Sequence, residues 1–277
     1  MPVTIPVNHF NLDQIAGSGQ CFSWVRLDEG RYAIESAGRY VEAAQEGNAL
    51  FLSCEKAVYN DFWKGYFDLD TDYGAFLRRI PAADACLTSA ARYGAGVRIL
   101  RQDLWEIMVS FLISQNNNIP RIIGCLQRLR KTYGRPLSKT SKVSAAFPRP
   151  DELAGASEAD FRALGLGYRA RYLAAMTQRM KDGGLDELAG ILKAQNDDQV
   201  RERLLSFTGV GRKVADCIAL YGLHRLDMFP VDTHIKGILA HHYPSGFPFD
   251  EYNGCRGVMQ QYLFFADLAG ETGRQAG

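Results

Sequence analysis

The spacing of apolar residues changes near residue 57, and this change limits the chain to a fold that combines a sheet with a helical body. Upstream of it, four segments alternate between apolar and polar residues, as strands with one buried face do. They are Cys21–Leu27, Arg31–Ser36, Arg39–Ala44 and Ala49–Cys54. Short turn sequences that contain glycine separate them. The pattern predicts an antiparallel meander with one solvated face.

Downstream of residue 57, the apolar residues follow the spacing of an amphipathic helix. The first apolar stripe consists of Val58, Phe62, Trp63, Tyr66 and Phe67. Helix starts are predicted where a capping residue precedes an apolar run. These starts are Asp103–Glu106 (as a capping box), Ser157–Asp160 and Asp197–Asp198.

The predicted fold class is therefore α+β. We expect an N-terminal antiparallel-sheet domain over residues 1–97 and a mainly helical body over residues 98–277. The stretch 135–150 contains three prolines among serine and threonine residues, which predicts a linker.

Composition and cysteine spacing exclude several classes of protein. With 47% hydrophobic and 23% charged residues, the chain matches an ordinary globular protein. It has no apolar run long enough to cross a membrane and no N-terminal signal-peptide pattern. The six cysteines lie at least 32 residues apart, which is unlike the spacing of zinc or iron–sulfur sites. We expect free thiols in an intracellular setting: cytoplasm or nucleoid in a prokaryote, nucleus in a eukaryote.

The net charge of +1 hides an uneven distribution. Residues 98–213 hold 20 basic and 12 acidic side chains, whereas the two flanking segments are both acidic. A basic middle segment is suited to a polyanion such as DNA. The near-neutral total thus excludes only a chain that is basic throughout.

Residues 204–221 predict two helices joined by a tight Gly-Val-Gly turn. The first helix is expected to end near Phe207, and the second follows Gly211 at once. Glycines permit a sharp turn and close approach of a ligand, while the N–H groups at the start of the second helix attract phosphate. Such a helix-hairpin-helix grips a DNA backbone without reading its sequence. A plain turn between two helices is the alternative.

Two charged residues near this turn suggest chemistry. Lys213 follows the turn directly, and Asp232 lies in the otherwise apolar segment Phe229–His234. Taken singly, they would be a surface lysine and a helix N-cap. Together they supply a nucleophilic amine and a carboxylate that can stabilise a developing cation, as a lyase-type DNA glycosylase requires.

With these features the sequence resembles the helix-hairpin-helix DNA glycosylase superfamily, and four further motifs resemble its 8-oxoguanine DNA glycosylase family. The motifs are Ser18–Trp24 (SGQCFSW), Tyr66–Asp70 (YFDLD), Asn116–Arg121 (NNNIPR) and Leu164–Tyr172 (LGLGYRARY). The resemblance covers residues 10–268. It implies a bifunctional base-excision repair enzyme that excises 8-oxoguanine from double-stranded DNA and then nicks the strand.

The resemblance also implies residue roles around the damaged base. Lys213 would form the Schiff base with the sugar, and Asp232 would be the catalytic carboxylate. The residues that recognise the base would be Gly19, through its carbonyl, Phe264 and Cys217, on the two faces of the base, and Gln260, on its Watson–Crick edge. Structural roles are the alternatives: a turn for Gly19, core positions for Phe264 and Cys217. Gln261 offers a second register for the glutamine.

Further positions match residues that hold the DNA and the hairpin. Asn116 would fill the space left by the flipped base, with Tyr168 as a wedge, and Arg121 and Arg169 would contact the opposite cytosine. A phosphate-facing role is the alternative for Arg169. The matches for backbone-phosphate contacts are Gly209, Gly211, Val214 and His234. Main-chain carbonyls of Leu205, Phe207 and Val210 match those that hold a monovalent cation, K⁺ or Na⁺.

The resemblance implies a monomer that needs no cofactor beyond such a structural cation. Two other functions stay open at this stage. One is a helix-hairpin-helix glycosylase for another damaged purine, against which Lys213 argues, because monofunctional relatives activate water instead. The other is a non-catalytic DNA-binding module, against which the presence of both Lys213 and Asp232 argues.

Overall fold

A five-stranded antiparallel sheet forms the N-terminal part of the protein. The computed structural model describes residues 2–138 and 141–272. The strands are β1 (Val3–Pro6), β2 (Val25–Asp28), β3 (Arg31–Ser36), β4 (Arg39–Glu46) and β5 (Ala49–Leu52). Their order is β1-β5-β4-β3-β2, and every neighbouring pair is antiparallel. The predicted meander is therefore present, with a fifth strand added at its edge.

Two details of the sheet differ from the sequence prediction. The first meander strand begins at Val25 and not at Cys21, because Gln20 uses its side chain to bind the backbone of residues 98–100 and holds this segment as a loop. β1 was not predicted: it alternates between buried and exposed residues, but four residues ending in proline are too few to establish a strand pattern. The sheet also lacks a fully solvated face: β3 is buried on both faces from Tyr32 to Ser36. At β3, the outer face of the sheet lies against the helical body, where Glu35 pairs with Arg130.

Fifteen α-helical segments account for most of the remaining described residues. They are α1 (Leu12–Gly17), α2 (Lys56–Val58), α3 (Lys64–Tyr66), α4 (Tyr73–Leu77), α5 (Ala85–Tyr93), α6 (Leu104–Ser114), α7 (Ile119–Tyr133), α8 (Pro150–Leu153), α9 (Glu158–Ala163), α10 (Ala170–Met180), α11 (Gly184–Ala194), α12 (Asp197–Leu205), α13 (Arg212–Gly222), α14 (Thr233–His242) and α15 (Arg256–Leu268). One π-helical turn, Tyr59–Trp63, joins α2 to α3, and 3₁₀ turns cover Gly167–Arg169 and Phe249–Tyr252. The α+β class is thus confirmed.

The predicted apolar stripe and helix starts are mostly present. Trp63 and Phe67 are fully buried under the sheet, although Val58 is exposed. α9 opens with a complete capping box at Ser157. The capping box predicted at Asp103 is only half formed: Asp103 accepts the N–H of Glu106, but the Glu106 carboxylate pairs with Arg130 instead.

The predicted linker at 135–150 is wrong, because the stretch is largely buried from residue 143 onward. Pro136 and Ala145 form a β-bridge, and Phe147 is buried with its N–H donated to Glu35 of the sheet. Apolar residues between the prolines thus fix the segment against both parts of the protein. Lys139 and Thr140 of this stretch lie outside the described residues. The domain boundary at residue 97 stays a prediction.

Two hydrophobic cores position the site. One lies between the sheet and the helices at residues 12–17 and 56–66; the larger one surrounds the buried helix α6 and includes α13, α14 and α15. Across the described ranges 2–138 and 141–272, we find no helix that combines the length and apolarity needed to cross a membrane.

Candidate active site

The hairpin predicted from the sequence is formed by α12 and α13. α12 ends at Leu205, two residues before the expected end, and Gly211 is the N-cap of α13. Gly209 has a φ of +85°, and a Cβ there would overlap the ring of Tyr172. Glycine is therefore needed at this position for conformation and for space.

Lys213 lies in the first turn of α13, above the ring of Phe111 from α6. Its Nζ is 5.3 Å from the ring centroid, and no described carboxylate forms an ion pair with it. Cys217 is one helical turn further on and is buried. Burial raises the pKa of its thiol to about 11, so the thiol is neutral near pH 7. The two groups that lie next to the Lys213 side chain, the Phe111 ring and the Cys217 thiol, are therefore both uncharged.

Asp232 is the N-cap of α14. Its Oδ1 accepts the N–H of Ile235 at 2.9 Å, which fixes the carboxylate at the positive end of the helix. One carboxylate oxygen caps the helix, and the residue also lines a cavity that Lys213 shares.

This cavity, of about 750 Å³, brings together residues that are far apart in the chain. The predicted site residues that line it are Gly19, Asn116, Lys213, Val214, Asp232, His234 and Phe264. The others lie outside its lining: Cys217, Gln260, Arg121, Tyr168, Arg169, Gly209, Gly211, Leu205, Phe207 and Val210. The basic amine, the carboxylate and an aromatic ring therefore face one space.

Gly19 and Phe264 are in contact on one side of the cavity. Gly19 has a φ of +76°, and a Cβ there would lie 2.9 Å from Cε1 of Phe264. The imidazole of His234 stands edge-on to the Phe264 ring at 5.7 Å, while its Nδ1 is 2.8 Å from a carboxylate oxygen of Asp267. The phenylalanine is thus held in place from two directions.

The two neighbouring glutamines of α15 differ in their hydrogen bonds. Gln261 bonds both Tyr221 and the Ser18 carbonyl. Gln260 is equally buried, but its Oε1 has no hydrogen-bond partner among the described residues. Because its buried oxygen has no partner, Gln260 is a better candidate than Gln261 for hydrogen bonding to a ligand.

The three consecutive asparagines also have different roles. Asn118 caps α7 through its side chain, and Asn117 donates to the carbonyl of Ile113 at the end of α6. Asn116 adopts a φ of +45° and lines the cavity, and its side chain has no hydrogen bond within the described chain. All three line the cavity, but Asn116 is the one whose side chain is not already used for a hydrogen bond within the described residues.

Arg169 is buried and bound to the loop that precedes α7. Its guanidinium donates to the carbonyls of Gln115 and Asn116, with Nη2 2.7 Å from the Asn116 oxygen. It also stacks on Tyr168, which is 42% exposed. An exposed ring is suited to a wedge, while the arginine as observed holds the Asn116 loop.

Arg121 and Arg169 both approach Gly167. An atom at the Cβ position of Gly167 would be 4.0 Å from both guanidinium groups. Arg121 is exposed at the start of α7. Both arginines therefore lie close to one glycine turn, and of the two only Arg121 is exposed to solvent.

Two of the lining residues that were not predicted from the sequence bear directly on the chemistry of the cavity. Phe111 supports Lys213, and Lys236 of α14 is a second amine in the lining. Lys236 is four residues after Asp232, so the two share one face of α14. That spacing could have indicated Lys236, whereas the Phe111 contact joins separate helices and leaves no local signal.

Two models of known protein families match the chain. Residues 2–108 match the model of the 8-oxoguanine DNA glycosylase N-terminal domain, and residues 109–246 match the HhH-GPD superfamily of base excision DNA repair proteins. The chain belongs to the 8-oxoguanine DNA glycosylase family. The resemblance inferred from the motifs is confirmed.

Solved structures share the whole fold of this 8-oxoguanine glycosylase family member. The Clostridium acetobutylicum 8-oxoguanine glycosylase/lyase, solved with double-stranded DNA containing cytosine opposite 8-oxoguanine, is 34% identical, with a TM-score of 0.88. The match covers 95% of this chain and 94% of that one. MBOgg1, solved with a low-affinity DNA ligand, is also 34% identical, with a TM-score of 0.90 over 99% of this chain and 96% of that one.

A curated relative matches over a shorter range. The N-glycosylase/DNA lyase of Saccharomyces cerevisiae is 38% identical over 158 residues, which is 53% of this chain. The match spans 42% of the yeast protein, less than half of its length.

Proposed function

We propose that the protein is a bifunctional DNA glycosylase and abasic-site lyase that excises 8-oxoguanine. The observation that carries this proposal is the common cavity of Lys213 and Asp232, which Gly19 and Phe264 also line. The reaction needs an amine as nucleophile and a carboxylate to stabilise positive charge, and the aromatic ring can pack against the base in the same cavity.

In the proposed reaction, the neutral Nζ of Lys213 bonds to C1′ of the sugar while the bond from C1′ to the base breaks. The electron pair of that bond leaves with the base, which takes up a proton. Asp232 stabilises the positive charge that develops on the sugar. The nitrogen then loses a proton and the C1′–O4′ bond breaks, with its electron pair staying on O4′, which takes up a proton; this opens the sugar ring and gives the imine. The imine acidifies the C2′ proton, and loss of that proton expels the 3′ phosphate by β-elimination.

Base recognition is proposed to use the Gly19 carbonyl as acceptor for the N7–H that 8-oxoguanine has and guanine lacks. No described residue donates a hydrogen bond to this carbonyl. With guanine bound, the carbonyl would face the unprotonated N7, and both acceptors would lose their partners. Phe264 and Cys217 would enclose the base, and the free Oε1 of Gln260 would meet its Watson–Crick edge.

The proposed partner is double-stranded DNA with the damaged base flipped out. Asn116 would fill the vacated space beside the exposed ring of Tyr168, and Arg121 and Arg169 would contact the opposite cytosine. Arg169 would first have to release the carbonyls that it now binds. The hairpin and α14 would hold the backbone phosphates through Gly209, Gly211, Val214 and His234.

The hairpin carbonyls are compatible with a monovalent cation. Those of Leu205 and Val210 accept no hydrogen bond from described residues, while that of Phe207 accepts the Val210 N–H at 3.0 Å and keeps a second lone pair. Oxygen ligands of this kind suit hard cations. We propose that the three carbonyls would hold K⁺ or Na⁺ and stiffen the turn, in a monomer that acts on DNA inside the cell.

Borohydride trapping tests the reaction. The protein is incubated with a duplex carrying 8-oxoguanine opposite cytosine, and sodium borohydride reduces the imine to a stable protein–DNA adduct. We expect an adduct with the wild type and with Lys236→Gln, and none with Lys213→Gln. Lys236→Gln is the matched control, because it removes the second amine of the same cavity.

Three outcomes would change the proposal. Absence of an adduct with the wild type would overturn the bifunctional assignment. Loss of the adduct in Lys236→Gln alone would move the nucleophile to Lys236. The excision rate is also measured on duplexes with each of the four bases opposite 8-oxoguanine. Equal rates would remove only the roles given to Arg121 and Arg169.

A further inference from the structure

A buried pair of side chains connects α13 and α15 to the loop that carries Gly19. The Tyr221 hydroxyl donates to Oε1 of Gln261 at 2.5 Å, and Nε2 of Gln261 donates to the Ser18 carbonyl at 2.7 Å. Tyr221 and Gln261 are each no more than 4% exposed, and Ser18 is fully buried. Burial also raises the pKa of Tyr221 well above its ordinary value, which keeps its hydroxyl a donor. Neither side chain lines the cavity.

The Ser18 carbonyl belongs to the peptide unit directly before Gly19. The Gln20 carbonyl, one unit after that of Gly19, accepts a hydrogen bond from Nε2 of Gln102 at 3.0 Å. Gln20 is also bound through its side chain, since its Oε1 accepts the N–H of Leu100. The units on both sides are thus fixed, and the Gly19 carbonyl between them has no donor from the described residues.

The other end of the pair reaches the nucleophile. The ring of Tyr221 stacks on Phe111, with centroids 5.2 Å apart and planes 13° apart. The same Phe111 ring lies beneath Nζ of Lys213 at 5.3 Å. Tyr221 therefore packs against the support of the amine while its hydroxyl holds, through Gln261, the loop that carries Gly19.

We propose that Tyr221 and Gln261 are positioning residues that orient the Gly19 carbonyl for recognition of 8-oxoguanine relative to Lys213. The proposal rests on the proposed function, because it requires Gly19 to read the N7–H of the base. A single hydrogen bond discriminates well only when its acceptor is held in the right direction. The two side chains supply this restraint without touching the substrate.

The test separates base reading from the chemistry of Lys213. Tyr221→Phe and Gln261→Met each break the pair with little change in volume. Tyr262→Phe is the matched control: it removes another buried hydroxyl, on the same helix as Gln261, that has no partner among the described residues. Each variant is assayed in single turnover for excision of 8-oxoguanine opposite cytosine and for cleavage at a preformed abasic site, where no base has to be read.

A binding measurement completes the test. The Kd for an undamaged G:C duplex is divided by the Kd for the 8-oxoguanine:C duplex, with each variant placed in a Lys213→Gln background that cannot react. We expect Gln261→Met to lower both this ratio and the excision rate by about fivefold or more, which is the worth of one hydrogen bond. Tyr221→Phe should have a smaller effect in the same direction. Cleavage at the abasic site should stay within about twofold, and Tyr262→Phe should match the wild type throughout.

Equal losses in excision and abasic-site cleavage, or an unchanged binding ratio, would overturn the proposal and leave the pair a structural contact. If Gln261→Met does not fold, Tyr221→Phe decides, because it removes a single oxygen. Failure of the proposed function itself would be visible in the wild type, as an absence of preference for 8-oxoguanine, and would overturn both proposals.

Discussion

Two polar regions of this protein satisfy their hydrogen bonds in opposite ways. The first, which we call the junction network, consists of Glu35 of the sheet and Arg130 and Glu106 of the helical body. Arg130 lies 2.9 Å from Glu35 and 3.1 Å from Glu106, and the three side chains are at most 8% exposed. The second is the cavity around Lys213.

The junction network uses most of its polar atoms for contacts within the protein, although Nε of Arg130 is buried without a partner among the described residues. The Glu35 carboxylate also accepts the N–H groups of Gly38 and Phe147, which come from the sheet and from the packed 135–150 segment. A buried charge is tolerated when it is paired and hydrogen-bonded in this way. The network therefore fastens the sheet to the helices.

The cavity, in contrast, leaves several polar groups without protein partners. The side chain of Asn116 and the carbonyl of Gly19, two residues of the lining, make no hydrogen bond within the described residues. Neither does Oε1 of Gln260, which lies outside the lining. Gln260 is buried, and native proteins rarely leave a buried polar group unpaired. Asn116 is exposed, so its free side chain is open to contact from outside. Residues whose polar groups are paired within the protein therefore hold the fold, whereas residues with unpaired polar groups are those to which a ligand can bind.

Breaking the junction network should give the largest change in stability. Arg130→Met removes the cation between two buried carboxylates, and we expect the free energy of unfolding to fall by about 3–5 kcal/mol near pH 8. The loss should be smaller near pH 5, where Glu106, whose pKa burial raises to about 7, takes up a proton. Urea unfolding measures both values.

The matched control for this prediction is Lys131→Met, which removes the neighbouring, exposed cation of α7. Its effect should stay within about 0.5 kcal/mol. Equal unfolding midpoints for the two variants would show that the network is not what fastens the sheet.

Local patterns were enough to predict the class of the fold and the residues next to the hairpin. Turn glycines and period-two alternation gave the strands from Arg31, Arg39 and Ala49, and the Gly-Val-Gly turn gave α12 and α13. These features depend on neighbours within a few residues. The charges beside this turn pointed to Lys213 and Asp232, the family motifs gave them their roles, and the fold brings both to one cavity.

Contacts between distant segments could not be predicted in this way. The stretch 135–150 has the composition of a linker, but buried apolar residues and the bond to Glu35 make it part of the interior. Glu106 looks like half of a capping box, yet Arg130 attracts its carboxylate more strongly than a backbone N–H does. Whether a segment is buried, or which partner a carboxylate binds, depends on contacts that form only when distant parts of the chain pack together.

The junction network should also make stability depend on pH through Glu106. Burial raises the pKa of its carboxyl to about 7, against the opposing effect of Arg130. An unfolded glutamate releases its proton near pH 4.3, so the folded state binds more protons between these values. Stability contributed by Glu106 is therefore full below about pH 4 and is lost as the pH rises through 7, by at most about 1.4 kcal/mol per pH unit.

Glu106→Gln, which cannot titrate, should flatten this slope, as urea unfolding at pH 5 and pH 7.5 would measure. Glu187→Gln on the exposed face of α11 serves as control and should keep the wild-type slope. A slope that Glu106→Gln leaves unchanged would mean that another group carries the pH dependence.

The smallest expected change in stability comes from two asparagines that are almost adjacent but belong to opposite categories. Asn118 accepts the N–H of Arg121 as the N-cap of α7, so Asn118→Ala should cost about 1 kcal/mol of unfolding free energy. Asn116→Gly should cost less, because glycine adopts the positive φ of this position readily. Excision should respond in the reverse order, since the Asn116 side chain is the one that would fill the space of a flipped base. Urea unfolding and single-turnover excision of 8-oxoguanine measure the two effects. If Asn118→Ala slowed excision more than Asn116→Gly, an unpartnered side chain in this cavity would no longer indicate contact with DNA.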